Sequence, residues 1–261
     1  MKVVISLGGI FFSDAEKLKK IAAVFDELAQ SNNLCVVTGG GERAREYIKI
    51  ARELGANEAF CDYIGIALTR INAKLLIAAL KHVYPEPFSD YRDVAVAKAH
   101  DKPLQGLRES PSCKPFQGFR GRGRSPRCGG TGGARDGAEP HSGKIAVMGG
   151  VNPGYTTDTV AAILAEYLNA DLLLNVTSVD GIYDADPRKY PNARKYDKLS
   201  PKELIALTMK EELKAGSRIV IDPVAAKIIE RSGIKTIVIN GDNPRNIADA
   251  VQGKHQGTEI S

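Results

Sequence analysis

The chain has 261 residues, of which 43% are hydrophobic and 26% are charged, and its formal net charge is +5. That length suits one large α/β domain or two modest lobes, and the composition is ordinary for a soluble globular protein. No run of 18 apolar residues occurs in the sequence, so no membrane-spanning helix is expected.

Short apolar runs alternate with helical patterns along the chain. Several of the runs are nearly continuous and rich in β-branched residues, as expected for strands that are buried on both faces. This alternation predicts a mostly parallel sheet with helices packed on both sides. The predicted strands are Val3–Leu7, Leu34–Val37, Ile145–Met148, Leu172–Val176, Arg218–Ile221 and Thr236–Ile239.

The sequence MKVVISLGGIFF at the start is apolar enough to suggest a secretory signal, but it has no small-residue cleavage site of the usual kind. We interpret it as a buried strand followed by a glycine turn. The four cysteines, Cys35, Cys61, Cys113 and Cys128, form no CxxC pair. This pattern fits a reducing cytosol and argues against a disulfide framework or a zinc site. We therefore expect a cytoplasmic protein that builds no metal site from its own side chains.

Two helices are marked by clear local signals. Apolar or aromatic residues at 160, 163, 164, 167 and 168 have the spacing of a helix that packs on one side. Further on, Asp222 precedes Pro223, which is the pattern of an N-cap followed by proline at the first helical position, and Gly233 is a plausible stop.

Residues 103–142 interrupt the strand–helix order. They contain nine glycines, five prolines, seven basic and three acidic residues, and they show no hydrophobic periodicity. This composition predicts a disordered or loose surface insertion. Its FRGRGR tract (119–124) has the form of an RNA-binding segment, or belongs to a spurious insertion. The stretch carries +4 of the net charge, so the rest is nearly neutral and no nucleic-acid partner is expected for the folded part.

Three glycine clusters follow predicted strands: Gly8-Gly9, Gly39–Gly41 and Gly149-Gly150. Glycine lets the backbone turn sharply and approach a ligand, and a helix that begins after such a turn favours anions at its N-terminus. At the carboxyl ends of parallel strands, the three turns would line one crevice. They predict a polyphosphate site, although neither GxxxxGK[ST] nor GxGxxG occurs in the chain.

Three segments add chemistry to these turns. Residues 41–47 open a helix that carries Arg45, which is placed to reach a phosphate or else lies on a solvated helix face. Residues 152–158, NPGYTTD, join the third turn to the striped helix and offer hydroxyls and backbone amides to a phosphate, or form a plain N-cap. Residues 180–187, DGIYDADP, follow a predicted strand. They contain a tyrosine and carboxylates that suit a nucleoside, or form a structural loop.

Taken together, these segments resemble the amino-acid kinase family, and within it most closely the archaeal uridylate (UMP) kinase branch. The resemblance covers residues 1–101 and 143–258. It is carried by SLGG (6–9), TGGGERAREYI (38–48), FCDYIGIALTRINAKLL (60–76), MGGVNPGYTTDTVAAILAE (148–166), TSVDGIYDADP (177–187) and AGSRIVIDPVAAKIIERSGIKT (215–236).

The resemblance implies a three-layer αβα sandwich around a mostly parallel central sheet of about eight strands. It implies a single domain over residues 1–258, with a UMP-binding lobe (1–166), an ATP-binding lobe (167–258) and the insertion at 103–142. The activity implied is ATP-dependent phosphorylation of UMP to UDP in pyrimidine nucleotide biosynthesis, with Mg²⁺, in a homo-oligomer, usually a hexamer.

The resemblance also implies site residues. Those implied for ATP are Gly8, Gly9, Ile10, Gly41, Arg45, Thr177, Tyr183 and Asp186. Those implied for UMP are Gly40, Asp62, Val151, Asn152, Pro153, Gly154, Tyr155, Thr156 and Thr157, with Asp158 next to them.

The chain departs from the family pattern at three positions. Ser6 stands where many members have a lysine, Glu42 follows the triple glycine where relatives often have lysine, and NPGY replaces HPGH. No catalytic residue is assigned. Lys74 and Lys227 are candidates for the missing cation, or else are structural or exposed, and Arg70 or Arg45 could steady the acceptor or donor phosphates.

Two other functions stay open on the sequence. One is a kinase of the same fold with acetylglutamate, aspartate, carbamate or isopentenyl phosphate as acceptor. The other is a catalytically weak nucleotide- or RNA-binding protein. The CDYIGIALTRINA segment (61–73) and the DGIYDADP segment favour UMP as the acceptor.

Overall fold

The computed structural model describes residues 1–100, 143–185, 187, 189–212 and 220–261. The predicted insertion at 103–142, Asp186 and the first two residues of the predicted strand Arg218–Ile221 lie outside these residues.

Nine strands occur in the described residues. Seven form one sheet in the order β3-β2-β1-β4-β8-β9-β7, and β5 and β6 form a separate antiparallel pair. In the large sheet β1, β2, β3, β4 and β8 are mutually parallel, and β9 pairs antiparallel with β8. The strands are β1 (Lys2–Leu7), β2 (Asn33–Thr38), β3 (Ala146–Met148), β4 (Leu172–Thr177), β5 (Ile182–Tyr183), β6 (Lys195–Tyr196), β7 (Lys198–Leu199), β8 (Thr236–Asn240) and β9 (Thr258–Ile260).

Within the described residues, eight α-helices surround this sheet, and a short 3-10 helix (Gly9–Phe12) follows β1. The α-helices in the described residues are α1 (Ala15–Ala29), α2 (Gly41–Glu53), α3 (Glu58–Ala79), α4 (Tyr91–His100), α5 (Thr157–Leu168), α6 (Pro201–Glu212), α7 (Pro223–Ser232) and α8 (Arg245–Val251). None of them combines the length and apolar character that a membrane crossing requires.

The two faces of the sheet belong to separate hydrophobic cores. Because side chains alternate along a strand, Val3, Ile5 and Leu7 of β1 pack into a core shared with α1, α3 and α8. Val4 of the same strand packs into the second core, with α5, α6 and α7. The architecture is therefore the three-layer αβα sandwich expected from the sequence.

Local signals set several helix boundaries as predicted. The Asp222 side chain caps α7 by accepting hydrogen bonds from the backbone N–H groups of Val224 and Ala225, and Gly233 ends the helix with a φ of +63°. Thr156 caps α5 by accepting from the N–H of Thr159.

The sheet differs from the sequence expectation at its edges. Val220 and Ile221 belong to no strand, so the predicted strand Arg218–Ile221 is wrong where it is described. The described sheet has seven strands rather than about eight, and isolated parallel bridges at Val83 and Phe88 continue it beyond β3. The strands β7 and β9 have only two and three residues, too few for a periodic signal.

Candidate functional site

A crevice of about 1390 Å³ opens at the carboxyl ends of β1, β2 and β4. All three strands are parallel, so the turns that follow them lie at the same edge of the sheet. Pockets for one small ligand usually measure about 300–1,000 Å³, so this volume suits two ligands side by side.

The first two glycine turns touch each other at the centre of the crevice. A Cβ atom on Gly9 would lie 2.0 Å from the backbone nitrogen of Gly41, and one on Gly41 would lie 2.5 Å from the carbonyl oxygen of Gly9. Gly41 also has a φ of +73°, which side chains rarely tolerate. Both positions therefore require glycine, and α2 begins at this contact.

Helix α3 fixes the second and third turns with two buried polar side chains. Asn72 donates from Nδ2 to the carbonyl oxygens of Gly39 and Gly40, at 2.7 and 3.3 Å. Thr69 accepts at Oγ1 from the backbone N–H of Gly150, at 2.7 Å. Because these bonds are sheltered from water, they hold the turns more firmly than exposed bonds would.

The residues implied for ATP line this crevice wherever they are described. Arg45 is exposed in the first turns of α2, and Thr177 ends β4. Asp186 lies outside the described residues. Those that line the crevice are Gly8, Gly9, Ile10, Gly41, Arg45, Thr177 and Tyr183.

The residues implied for UMP divide into two groups. Gly40, Asp62, Tyr155, Thr156 and Thr157 line the crevice. By contrast, Val151, Asn152, Pro153 and Gly154 belong to the loop before α5 and are not among the residues that line it. The loop is fastened to the crevice wall because Asp62 accepts a hydrogen bond at Oδ2 from the Gly154 N–H, at 2.7 Å.

Asp158 lies on the crevice floor, where α5, β1 and β4 meet. Its Oδ1 accepts hydrogen bonds from the Ser6 hydroxyl at 2.9 Å and from Asn175 Nδ2 at 3.2 Å. The pKa of Asp158 is raised to about 7, chiefly because burial removes water from the carboxyl group. The nearby charge of Asp222 adds to this rise, and the hydrogen bonds from Ser6 and Asn175 oppose it. The floor therefore holds a carboxyl group that titrates near neutral pH.

The β5–β6 hairpin forms a wall next to Thr177. The Tyr183 hydroxyl donates to Asp180 Oδ1 at 2.7 Å, and this bond to a carboxylate raises the pKa of Tyr183 to about 12. Lys195 Nζ lies 3.6 Å from Asp180 Oδ2 and donates to the Gln256 carbonyl oxygen. The tyrosine is therefore held in a fixed orientation at the rim.

The candidate cations named from the sequence do not all reach the crevice. Arg45 lines it, whereas Arg70 donates from Nε to the Gly150 carbonyl oxygen behind the third turn. Lys74 and Lys227 pair with glutamates, Glu86 and Glu230, and neither lysine lines the crevice.

Sequence reasoning missed several polar residues of the site. Ser6 and Asn175 stand within buried strands, and Thr69 and Asn72 are buried residues of α3. For Ser6 and Asn175 a polar residue inside an apolar run was the available signal, since buried polar groups need hydrogen-bond partners. Thr69 and Asn72 have charged residues nearby in the sequence and gave no such signal. No group of three or more metal-ligating side chains occurs in the part of the chain described by the structure.

Comparison with known proteins agrees with this architecture. The model of the amino acid kinase family matches residues 1–240. A curated uridylate kinase from Archaeoglobus fulgidus is 43% identical over an alignment that covers all of both chains. Another, from Methanococcoides burtonii, is 43% identical and covers 96% of this chain and 91% of its own.

Solved structures give the same result. The crystal structure of the uridylate kinase from Archaeoglobus fulgidus superposes with a TM-score of 0.77 at 42% identity, covering 100% of each chain. A UMP kinase structure from Ureaplasma parvum, at 22% identity and a TM-score of 0.70, shares the fold. With this agreement along its whole length, the chain belongs to the amino acid kinase family.

Proposed function

We propose that the protein transfers the γ-phosphoryl group of ATP to UMP, forming UDP and ADP. The observation that carries this proposal is the convergence of three glycine turns on one crevice with room for two ligands. The similarity to curated uridylate kinases over the full length of the chain favours UMP as the acceptor.

The chemistry asks for alignment and charge neutralisation more than for proton transfer. A phosphate oxygen of UMP attacks the γ-phosphorus of ATP, and the bond from that phosphorus to the oxygen bridging the β-phosphate breaks. The attacking oxygen is already anionic near pH 7, so no general base is required. Backbone N–H groups of the turns and the start of α2 supply positive potential for the transferring group.

The donor and acceptor occupy different parts of the crevice in this proposal. ATP lies along the Gly8–Ile10 turn, Gly41 and Arg45, with its adenosine next to Thr177 and the tyrosine of the β5–β6 hairpin. UMP lies against Gly40, Asp62 and the segment 151–157. Residues 1–166 then form the UMP lobe and residues 167–258 the ATP lobe of one domain, with the phosphates of ATP extending to the glycine turns of the UMP lobe. Support comes from the proximity of these groups along one crevice.

Mg²⁺ is part of the proposal as a companion of the nucleotide. Magnesium prefers oxygen ligands, keeps several waters and is usually bound together with substrate phosphates rather than by an all-protein cage. The described residues contain no cluster of three ligating side chains, which fits an ion carried on the phosphates that the glycine turns hold. When bound, the ion neutralises charge on the phosphate oxygens.

Other acceptors on the same fold are not favoured. Asp62 and Tyr155 offer polar groups to a nucleoside at the acceptor side. A role limited to nucleotide or RNA binding, the remaining alternative, predicts no turnover.

The experiment is an ADP-release assay with ATP, Mg²⁺ and four separate acceptors: UMP, CMP, acetylglutamate and isopentenyl phosphate. We expect turnover with UMP, little with CMP and none with acetylglutamate. Preference for any acceptor other than UMP would replace this proposal by another kinase of the family. Absence of turnover with every acceptor would favour the binding-protein alternative.

We also propose that a second copy of the chain covers an apolar face of α2 and α3, within a homo-oligomer that is a hexamer. The face bears large exposed side chains at helical spacing, and exposed patches of this kind mark association surfaces. They are Tyr47, Ile50, Leu54, Phe60, Tyr63, Ile71 and Leu75. A cytoplasmic location belongs to the same proposal, since Cys35 and Cys61 are buried as free thiols.

A further inference from the structure

The N-termini of α5 and α7 meet at one carboxylate, that of Asp222. As the N-cap of α7, this side chain accepts at Oδ1 from the backbone N–H groups of Val224 and Ala225, at 2.8 and 3.0 Å. The same carboxylate accepts from two hydroxyls of α5, those of Thr156 and Thr159. An N-cap needs only the first pair of bonds, so the second pair has to be explained separately.

One of the two hydroxyls belongs to a residue that lines the crevice, and the other lies buried behind it. Thr156 lines the crevice and caps α5, directly after the loop that is fastened to Asp62. Thr159 is fully buried one turn further on, where its hydroxyl lies 2.9 Å from both oxygens of Asp222. The bonds therefore tie the end of the acceptor loop to the first turn of α7.

A second connection reaches the same point from the sheet. Asn175 of β4 donates both to Asp158 Oδ1 and to the carbonyl oxygen of Val220, each at 3.2 Å. Val220 and Ile221 line the crevice and lead directly into Asp222. The segment that leads into α7 is thus part of the crevice wall, and the start of the helix is held from two sides.

The opposite ends of the helices are also joined. Arg231 near the end of α7 makes a two-bond contact to the carboxylate of Glu166 near the end of α5, with Nε at 2.8 Å from Oε1. Ala161 and Leu164 of α5 share a buried core with Ala225 and Ile229 of α7. With both ends joined and the middle packed, the two helices have little freedom to shift against each other.

We propose that Asp222 is a positioning residue for the phosphoryl transfer proposed above, on which this inference rests. Its carboxylate holds the end of the acceptor loop, at Thr156, against the start of α7. Phosphoryl transfer requires the attacking oxygen and the γ-phosphorus to be in line, and a misplacement of about 1 Å costs on the order of 100-fold in rate. Asp222 contributes by preventing such a shift, and it is not itself among the residues that line the crevice.

The test uses two variants and two matched controls. Asp222→Ser keeps an N-cap oxygen, since serine is a good N-cap residue, but the shorter side chain cannot hold both threonines. Thr159→Val removes one hydroxyl at nearly constant shape. Asp14→Ser is the control for the first, because Asp14 caps α1 through the N–H groups of Glu16 and Lys17. Thr236→Val is the control for the second, because the buried Thr236 hydroxyl donates to the Ile234 carbonyl oxygen on β8.

We expect Asp222→Ser and Thr159→Val to lower kcat at least tenfold, with the KM values for UMP and ATP changed less than about threefold. The two controls should lose similar thermal stability and keep kcat within twofold of wild type. Unchanged kcat in both test variants would overturn the inference. A loss carried by the KM of a single substrate would overturn it as well, because that pattern indicates a direct binding role.

Amide hydrogen exchange separates this inference from the proposed function. If the wild-type chain fails to turn over UMP, the proposed function fails. Amide exchange without nucleotide still tests whether Asp222 holds the end of the acceptor loop. Faster exchange in the 156–160 segment of Asp222→Ser than in wild type, with exchange in α1 unchanged, supports the positioning role of Asp222. Exchange in that segment equal to wild type contradicts it.

Discussion

Asp158 shows how one residue of the crevice links pH to stability. Its carboxyl group is enclosed by β1, β4 and the start of α5, with Asp222 as the charged neighbour that raises its pKa further. A carboxyl group whose pKa is higher in the folded than in the unfolded chain binds more protons when folded. Its contribution to stability is therefore full below the unfolded pKa, near 4, and is lost as the pH rises through about 7.

The variant Asp158→Asn tests this in the protein without nucleotide. The asparagine amide cannot ionise. We therefore expect that the free energy of unfolding of the variant does not fall between pH 5 and pH 8 as that of the wild type does. Between pH 5 and pH 8 the free energy of unfolding of the variant should rise by about 2 kcal/mol relative to that of wild type. This value is smaller than the full pKa shift would give, because one side of the Asp158 carboxyl group meets solvent in the crevice.

Urea unfolding at the two pH values measures the change. Parallel pH dependence of wild type and variant would mean that the folded pKa of Asp158 is not raised.

At the scale of elements, the glycine turns were the part of the site that the sequence predicted best. Turn residues at Gly9 and Gly41 stand out because no other residue fits the backbone contact that they make. Their supports on α3 were harder to predict, since Thr69 and Asn72 stand on either side of Arg70 among other polar residues of the helix and form no periodic pattern. The N-cap at Asp222 was predicted from its local sequence, whereas its bonds to α5 span more than 60 residues and have no local signal.

Loss of the Asn72 amide on α3 should disturb the second glycine turn, Gly39–Gly41, to which it donates hydrogen bonds. Asn72→Leu leaves the Gly39 and Gly40 carbonyl oxygens without their buried donor, which costs about 1–3 kcal/mol of stability. We expect kcat/KM for UMP to fall at least tenfold, because Gly40 and Gly41 move with the turn.

The control for that variant is Asn32→Leu, which removes an amide donor to the Leu28 carbonyl oxygen at the end of α1. Kinetics and thermal unfolding of the pair measure both effects. Equal kinetic losses in the two variants would show that α3 has no particular role in holding the turns.

At the scale of the whole molecule, the three-layer architecture followed from the alternation of apolar runs and helical stripes. The sheet edge beyond β8 did not, because β7 and β9 are set by long-range pairing rather than by local pattern. The apolar surface of α2 and α3 could not be predicted either, because its side chains come from two helices that pack together only in the folded chain.

Disruption of that apolar face should change the mass of the particle in solution. The double variant Tyr63→Lys with Ile71→Lys introduces two charges on α3, where both side chains are more than half exposed. We expect light scattering to give a multiple of 28.1 kDa for wild type and a smaller assembly for the variant. Val96→Lys on α4, also at an exposed apolar position, is the control. A wild-type mass of one chain would contradict the proposed oligomer.

The measurement that tests the central claim most directly is the ratio of UDP to ADP formed from UMP and ATP with Mg²⁺. Chromatography of the products would be carried out on wild type, on Gly9→Ala, which introduces a clash between the first two turns, and on Gly55→Ala, where a Cβ has open space but φ is +86°. We predict one UDP for each ADP in wild type and Gly55→Ala, and at least a 100-fold lower rate in Gly9→Ala. Formation of ADP without UDP, or a Gly9→Ala rate equal to wild type, would contradict phosphoryl transfer to UMP in this crevice.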